Sequence, residues 1–423
     1  MMKTIIALLA AGTALTSAAA AQDLAILNGR VITNTDQGQI SSGGVLIRDG
    51  VIVSVGANID VPDGVDTIDA NGGWITPGIF APFTQLGLIE VALEDTANDA
   101  SASESEFSVA LDVADSFNPN GTYIATSRIE GVTRFAVVPS TGSTVFAGLG
   151  ALGDSSGDMD SLFDTQSFVF ADLSQSGAGS AGGSRSAAWA YLEAAFGDAR
   201  AYPGRYASGQ GDALSRYDAA SLVDVVRGRM PLILEVDRAA DIRRAIRFAE
   251  ENAPVQLVIF GAAEAWMVAG ELAEAGIPVL MDPMRNLPSS FDALGSTLEA
   301  AARLDAAGVR VAYTTQTADG YFNARLLPQH AGNAVTNGVS WETAFRAITL
   351  TPAEIYGVGD QYGALAAGYM ADVVVWDGDP LEVMSAPTHV IIDGEETEMS
   401  SRQTRLRDRY ADMDDTTPFG YRR

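Results

Sequence analysis

Glu235 and Asp237 are the two side chains of this sequence best spaced to do chemistry together. They lie two residues apart, directly after the apolar run Leu232-Ile233-Leu234, which reads as a strand. On a strand, side chains two apart project to the same side. A carboxylate pair so placed could divide the work of general acid and base, or ligate a hard cation such as magnesium or calcium. The structural alternative is that Asp237 pairs with Arg238 or caps the next turn, while Glu235 makes local hydrogen bonds. Calcium takes about 6–8 oxygen ligands, more than one pair supplies. The chain has two histidines, His330 and His389. Neither stands at a metal-ligand spacing, and both read as packing or surface residues. The sequence has no cysteine, which excludes thiol catalysis, cysteine-bound zinc and disulfides. It also lacks a Walker-type phosphate loop. Gly182-Gly183-Ser184-Arg185 offers backbone amides and a cation to an anion, although such a composition more often marks a flexible loop.

The elements that must position these residues change character along the chain. From Asp23 to Thr76 the texture is that of strands, with Asp49-Gly50 as a hairpin signal between Val45-Leu46-Ile47-Arg48 and Val51-Ile52-Val53. Leu24-Ala25-Ile26-Leu27 is followed by Asn28-Gly29 and then Val31-Ile32. After Pro77, strand-like runs alternate with helix-like ones. Ile242, Ala245, Ile246 and Ala249 share one face of a predicted helix over Asp241 to Glu251. Helices are also predicted over Glu264 to Ala275, stopped by Gly276, and over Leu298 to Ala307, stopped by Gly308. Thr351-Pro352-Ala353-Glu354 has the form of an N-cap, a first-turn proline and a capping-box glutamate. Repeated strand–helix units over roughly 280 residues suggest a closed parallel barrel, with an open doubly wound sheet as the alternative. Asp372 to Trp376 and Val390-Ile391-Ile392, with the turn Asp393-Gly394, return to strands. Asn98 to Glu106 and Ser174 to Ser186 read as long surface loops, and Arg405 to Tyr410 as a short helix in an Arg-bearing tail.

The start of the chain has three parts: basic Met1-Met2-Lys3, an uncharged run from Thr4 to Ala14, and small residues Ala19-Ala20-Ala21 before Gln22. This is the form of a secretory signal peptide, and the apolar run falls short of the ~20 residues that span a bilayer. Secretion across the inner membrane to a periplasmic or extracellular location is therefore expected, with no membrane insertion after cleavage. The 423 residues carry a net charge of −28 and 47% hydrophobic side chains. That content supports a sizeable core, and the charge disfavours nucleic acid as a partner.

Several motifs together resemble the amidohydrolase superfamily, in particular its imidazolonepropionase-like and dihydroorotase-like bacterial branch. Ile75-Thr76-Pro77-Gly78-Ile79 is similar to the entry into the family's first barrel strand. Tyr362-Gly363-Ala364-Leu365, Gly368, Ala371 to Trp376 and Asp379-Pro380 resemble its return strand. Ala331-Gly332-Asn333-Ala334 and Thr351 to Ile355 are similar to its late helices. The resemblance implies an α/β fold: a distorted (β/α)8 barrel over 77–356, with a small β-sandwich built from 22–76 and 357–399. Residues 1–21 would be the signal and 400–423 a tail. It also implies hydrolysis of C–N bonds by one or two metals that activate water. In the family these metals are held by a His-x-His on strand 1, histidines on strands 5 and 6, and an aspartate on strand 8 that also shuttles the proton.

The residues at those positions differ. Phe83 and Gln85 fall where the strand-1 histidines are expected, and Glu235 and Asp237 where the family often has His-x-His. Ile259-Phe260-Gly261-Ala262 brings no histidine to strand 6, and Gln316 replaces the strand-8 aspartate. Phe cannot ligate a metal, and Gln is a poor zinc ligand without a usable pKa for proton transfer. Asp319 could stand in only if its loop turns back. No cofactor is therefore expected, with a hard divalent cation at Glu235 and Asp237 as the alternative. Three functions follow as expectations. One is a non-catalytic protein that binds a small molecule or joins an active relative in an oligomer. The second is a diverged hydrolase using Glu235 and Asp237. The third is a structural role in the cell envelope.

Overall fold

The computed structural model describes residues 23–316 and 320–411. The signal-peptide reading and Asp319 lie outside the described residues.

The chain opens with β1 (Leu24–Ile32), β2 (Gln39–Arg48), β3 (Val51–Gly56), β4 (Asp66–Asp69) and β5 (Trp74–Pro77). Asp49 and Gly50 both take positive φ, at 49° and 77°, as a two-residue turn between right-twisted strands demands. Asn28-Gly29 is an irregularity inside β1, where the register with β2 shifts between Ile26 and Gly29. A side chain at Gly29 would meet Ile75 Cδ1 at 2.6 Å, so the strand continues only because glycine leaves room for β5.

Eight strands then form the barrel sheet in chain order: β6 (Ile79–Thr84), β7 (Val132–Val137), β8 (Phe146–Asp154), β9 (Leu162–Asp172), β10 (Leu232–Val236), β11 (Leu257–Gly261), β12 (Val279–Met281) and β13 (Val311–Tyr313). The barrel expected from the strand–helix alternation is present, with one departure. β8 runs antiparallel to β7 and to β9, while the other neighbours are parallel. No helix separates β7, β8 and β9. The seam between β13 and β6 is spanned by the chain at 347–348. Tyr313 N donates to Ala347 O at 3.0 Å and Phe80 N to Ile348 O at 2.9 Å.

The barrel interior is filled by Phe80, Phe168, Ile233, Val258, Leu280 and Ala312. Outside, the helix Ala239–Glu251 buries Ile242, Ala245 and Ile246 against the strands, as its spacing predicts. Each isoleucine buried this way contributes about 2 kcal/mol. Two expectations fail locally. Ser174 to Ser186 is not a loop: it holds the helix Gln175–Ser180 and the start of Arg185–Arg200, with Ser174 and Ser184 as N-caps. The last barrel helix is Leu350–Ile355, preceded by Thr349 rather than capped by Thr351. Thr349 Oγ1 donates back to Phe345 O instead.

The chain ends with β14 (Val373–Trp376), β15 (Pro387–Ile392) and β16 (Glu395–Glu396), then the helix Arg402–Ala411. β14 pairs with β5, so both chain ends build one eight-stranded sheet. Asp393 and Gly394 form its last tight turn, with φ of 50° and 82°. Arg134, on β7, fastens this sheet to the barrel. Its guanidinium donates to Asp372 at 2.6 and 2.9 Å and to Asp393 at 2.5 Å, and lies 3.5 Å from Asp154. Tyr362 covers one of its faces, 4.4 Å from ring centroid to guanidinium carbon.

Candidate active site at the barrel mouth

The mouth is the face where the parallel strands end, and barrel sites lie there. Phe83, near the end of β6, stacks on Phe260 of β11 with centroids 3.9 Å apart and planes within 5°. Phe170 and Tyr321 close on the same ring edge-on, at 5.2 and 4.9 Å. Four aromatic rings therefore occupy the centre of the mouth, and Phe83 is 3% exposed. Gln85 is turned away, with Nε2 donating to Ser140 Oγ at 2.5 Å.

Glu235 sits on β10, in register with Asp172 of β9 on one side and Phe260 on the other. Its carboxyl is raised well above the usual range, first by burial and then by Asp172 and Asp237; Arg285 opposes them. Asp172 is also raised, mainly by burial. Asp237 lies beyond the end of β10 and is 4% exposed. It accepts from Arg285 Nη1 at 2.7 Å, Arg285 Nη2 at 3.2 Å and Ala263 N at 3.0 Å. Arg238 pairs with Asp241 instead, at 2.7 and 2.9 Å. Gly261, at φ +84°, leaves the space between the carboxylates; a Cβ there would be 3.0 Å from Asp237 Oδ1 and 3.6 Å from Glu235 Cγ. Glu235 and Asp237 thus converge on one point, as their spacing predicts.

Gln316 hydrogen-bonds Tyr321, while its own Oε1 is buried without a partner. The Tyr321 hydroxyl is pushed above its ordinary range by burial, with Glu235 adding to the effect. His330 is buried beside the mouth, its Nδ1 2.9 Å from Asp282 Oδ1. His389 is remote, in the terminal sheet, bonded to Glu396 at 2.6 Å. Arg185 does not await an anion: it pairs with Asp241 and Asp292. Sequence reasoning missed Asp172, Arg285, Tyr321 and the Asp282–His330 pair. The Asp172 position was legible, because it closes the apolar run Phe168 to Ala171.

This donor set does not fit a divalent metal. The strand-1 position is taken by an aromatic stack. Both Asp237 oxygens face a guanidinium, whose fixed positive charge repels a cation. Burial holds Glu235 toward its neutral form, which is a poor ligand. Among the described residues no group of three or more His, Asp or Glu side chains is placed to hold a metal ion. The chemistry left to the mouth is that of a carboxyl raised above its usual range, a guanidinium–carboxylate pair and a buried phenol.

A model of the amidohydrolase family matches residues 239–397. Over 72 residues the chain is 40% identical to the amidohydrolase tasK of Hapsidospora irregularis, a stretch covering 17% of this chain and 7% of that protein. The fold is similar to an amidohydrolase from Thermotoga maritima, with a TM-score of 0.81 and 24% identity over 89% of this chain and 99% of that one. A Xaa-Pro dipeptidase with bound methionine gives 0.57 at 16% identity, covering 89% and 100%. A zinc-bound adenosine deaminase from Xanthomonas campestris gives 0.51 at 18% identity, covering 92% and 99%. The match to the amidohydrolase family model thus covers the late barrel and return strand, and the fold is shared with the Thermotoga amidohydrolase along nearly the whole chain.

Proposed function

We propose that this chain is an exported member of the superfamily that has given up metal-assisted hydrolysis and acts by binding, either to a small molecule or to an active relative in an oligomer. One observation carries the reading: the Phe83–Phe260 stack lies at a position where the resemblance calls for metal. The Arg285–Asp237 pair supports it, because it turns a ligand position into a neutral ion pair. Purified protein loaded with zinc or manganese and then dialysed is expected to hold far less than one equivalent of metal. It is also expected to leave a panel of amides, cyclic amides and dipeptides uncleaved. Stoichiometric metal, with hydrolysis that chelation abolishes, would overturn the reading. Export is tested by cell fractionation and N-terminal sequencing, which should find a mature start at Gln22.

A second reading, metal-independent hydrolysis of a C–N bond, rests on Glu235. A neutral carboxyl at a barrel mouth is the form needed to protonate a leaving nitrogen. If a hydrolytic activity is found, Glu235→Gln should abolish it, and an unchanged rate would dismiss this assignment.

A further inference from the structure

On the opposite side of the barrel from its mouth, the turn after β8 meets the terminal sheet around a cleft of about 660 Å3. Asp158, Asp160, Glu395 and Glu398 line it, all exposed, and none forms a salt bridge with a described residue. Two arginines also line it: Arg134 lies deeper and is matched by Asp372, Asp393 and Asp154, while Arg128 bonds the Ser155 and Ser156 carbonyls and is drawn toward Glu398 and Asp158. The cleft therefore carries more carboxylates than its two arginines balance. Its walls also include Phe163, Tyr362, Met370 and Ile392, which are apolar. Ser161 lines it too, 2% exposed, with a hydroxyl that has no hydrogen-bond partner. Burying a hydroxyl unpaired costs about 1–3 kcal/mol, so a ligand donor that reaches it is favoured.

We infer that this cleft is a binding site for a small organic polycation, a linear polyamine in chemical class. The carboxylates are not grouped to hold a metal ion. Charge spread along a flexible ligand matches them better than a point charge does. The apolar wall takes the methylene stem, as it takes the stem of a lysine elsewhere in proteins. An ammonium N–H reaches Ser161 Oγ. This site is independent of the barrel mouth, and nothing in it requires catalysis.

The test is isothermal titration calorimetry of the full chain in low salt, with spermidine as the probe and calcium titrated separately. Spermidine is expected to saturate one site per chain. Asp158→Asn, Asp160→Asn and Glu395→Gln combined should raise its Kd about tenfold, since each removes one ion-pair contact at an exposed site. The remote pair Glu274→Gln and Asp305→Asn should leave Kd unchanged. Unfolding curves matching the parent would show that the variants are folded. Three outcomes overturn the inference: no saturable spermidine binding, calcium binding in place of spermidine, or equal weakening by the remote pair. The last would mean diffuse counter-ion attraction to an acidic protein.

Discussion

Replacing Arg285 with methionine removes the only cation that touches Asp237 among the described residues, and the structure sets the size of the effect. Arg285 and Asp237 side chains are 10% and 5% exposed and share bonds of 2.7 and 3.2 Å. Unit charges ~4 Å apart attract by about 4 kcal/mol at an effective dielectric near 20. Removing one partner of a buried pair costs about 3–5 kcal/mol, because the other charge is left uncompensated. Ala263 N still donates to Asp237, which points to the lower end, about 3 kcal/mol, at about pH 8. Arg285→Met with Asp237→Asn removes both charges and should recover more than half of the loss. Urea unfolding followed by tryptophan fluorescence compares both variants with the parent. A single variant within about 1 kcal/mol of the parent, or a double variant no better than the single, would refute the idea that this pair neutralises the mouth.

Three further outcomes are expected. Phe83→Ala should destabilise the protein by about 3–5 kcal/mol in denaturant titration, through the cavity left against Phe260. Arg134→Met should cost about 3–5 kcal/mol, because it leaves Asp372 buried without its guanidinium; proteolysis should then cut between the barrel and the terminal sheet at lower denaturant than in the parent. The carboxyl of Asp393 is raised to about 6 by burial first and by Asp372 next. Because the folded value lies above the unfolded one, its contribution to stability is fully present below the unfolded value, about 3.9, and is lost as pH rises through about 6. Asp393→Asn should flatten that part of a melting-temperature profile against pH.

Much of the fold was legible because local chemistry and tertiary structure agree. Asp49-Gly50 and Asp393-Gly394 form turns whose positive φ suits them, and Ile242, Ala245 and Ile246 face the barrel as their spacing requires. Phe83 and Glu235 also sit at the mouth where the motifs place them. What they touch there was not legible. Arg285 reaches Asp237 across 48 residues and Arg134 reaches Asp372 across 238, and no local pattern encodes such pairs. Ser174 to Ser186 misled by composition: tertiary packing and two serine caps make it helical despite its glycines. A side chain at Gly177 would lie 1.8 Å from Asp172 O, so that glycine serves close packing rather than flexibility. The reversal of β8 left a trace in the sequence, since no helical periodicity separates Phe135 from Phe170.

That reversal changes which side of the barrel each loop serves. In an all-parallel barrel, every strand delivers the loop that follows it to the mouth. Here the residues after β8 emerge underneath, beside the terminal sheet, and the chain climbs back through β9 to place Asp172 at the top. One crossing thus supplies both faces from neighbouring stretches of sequence. Changes confined to residues 155–161 can remodel the underside while the aromatic plug stays as it is, so the two faces are free to diverge at different rates.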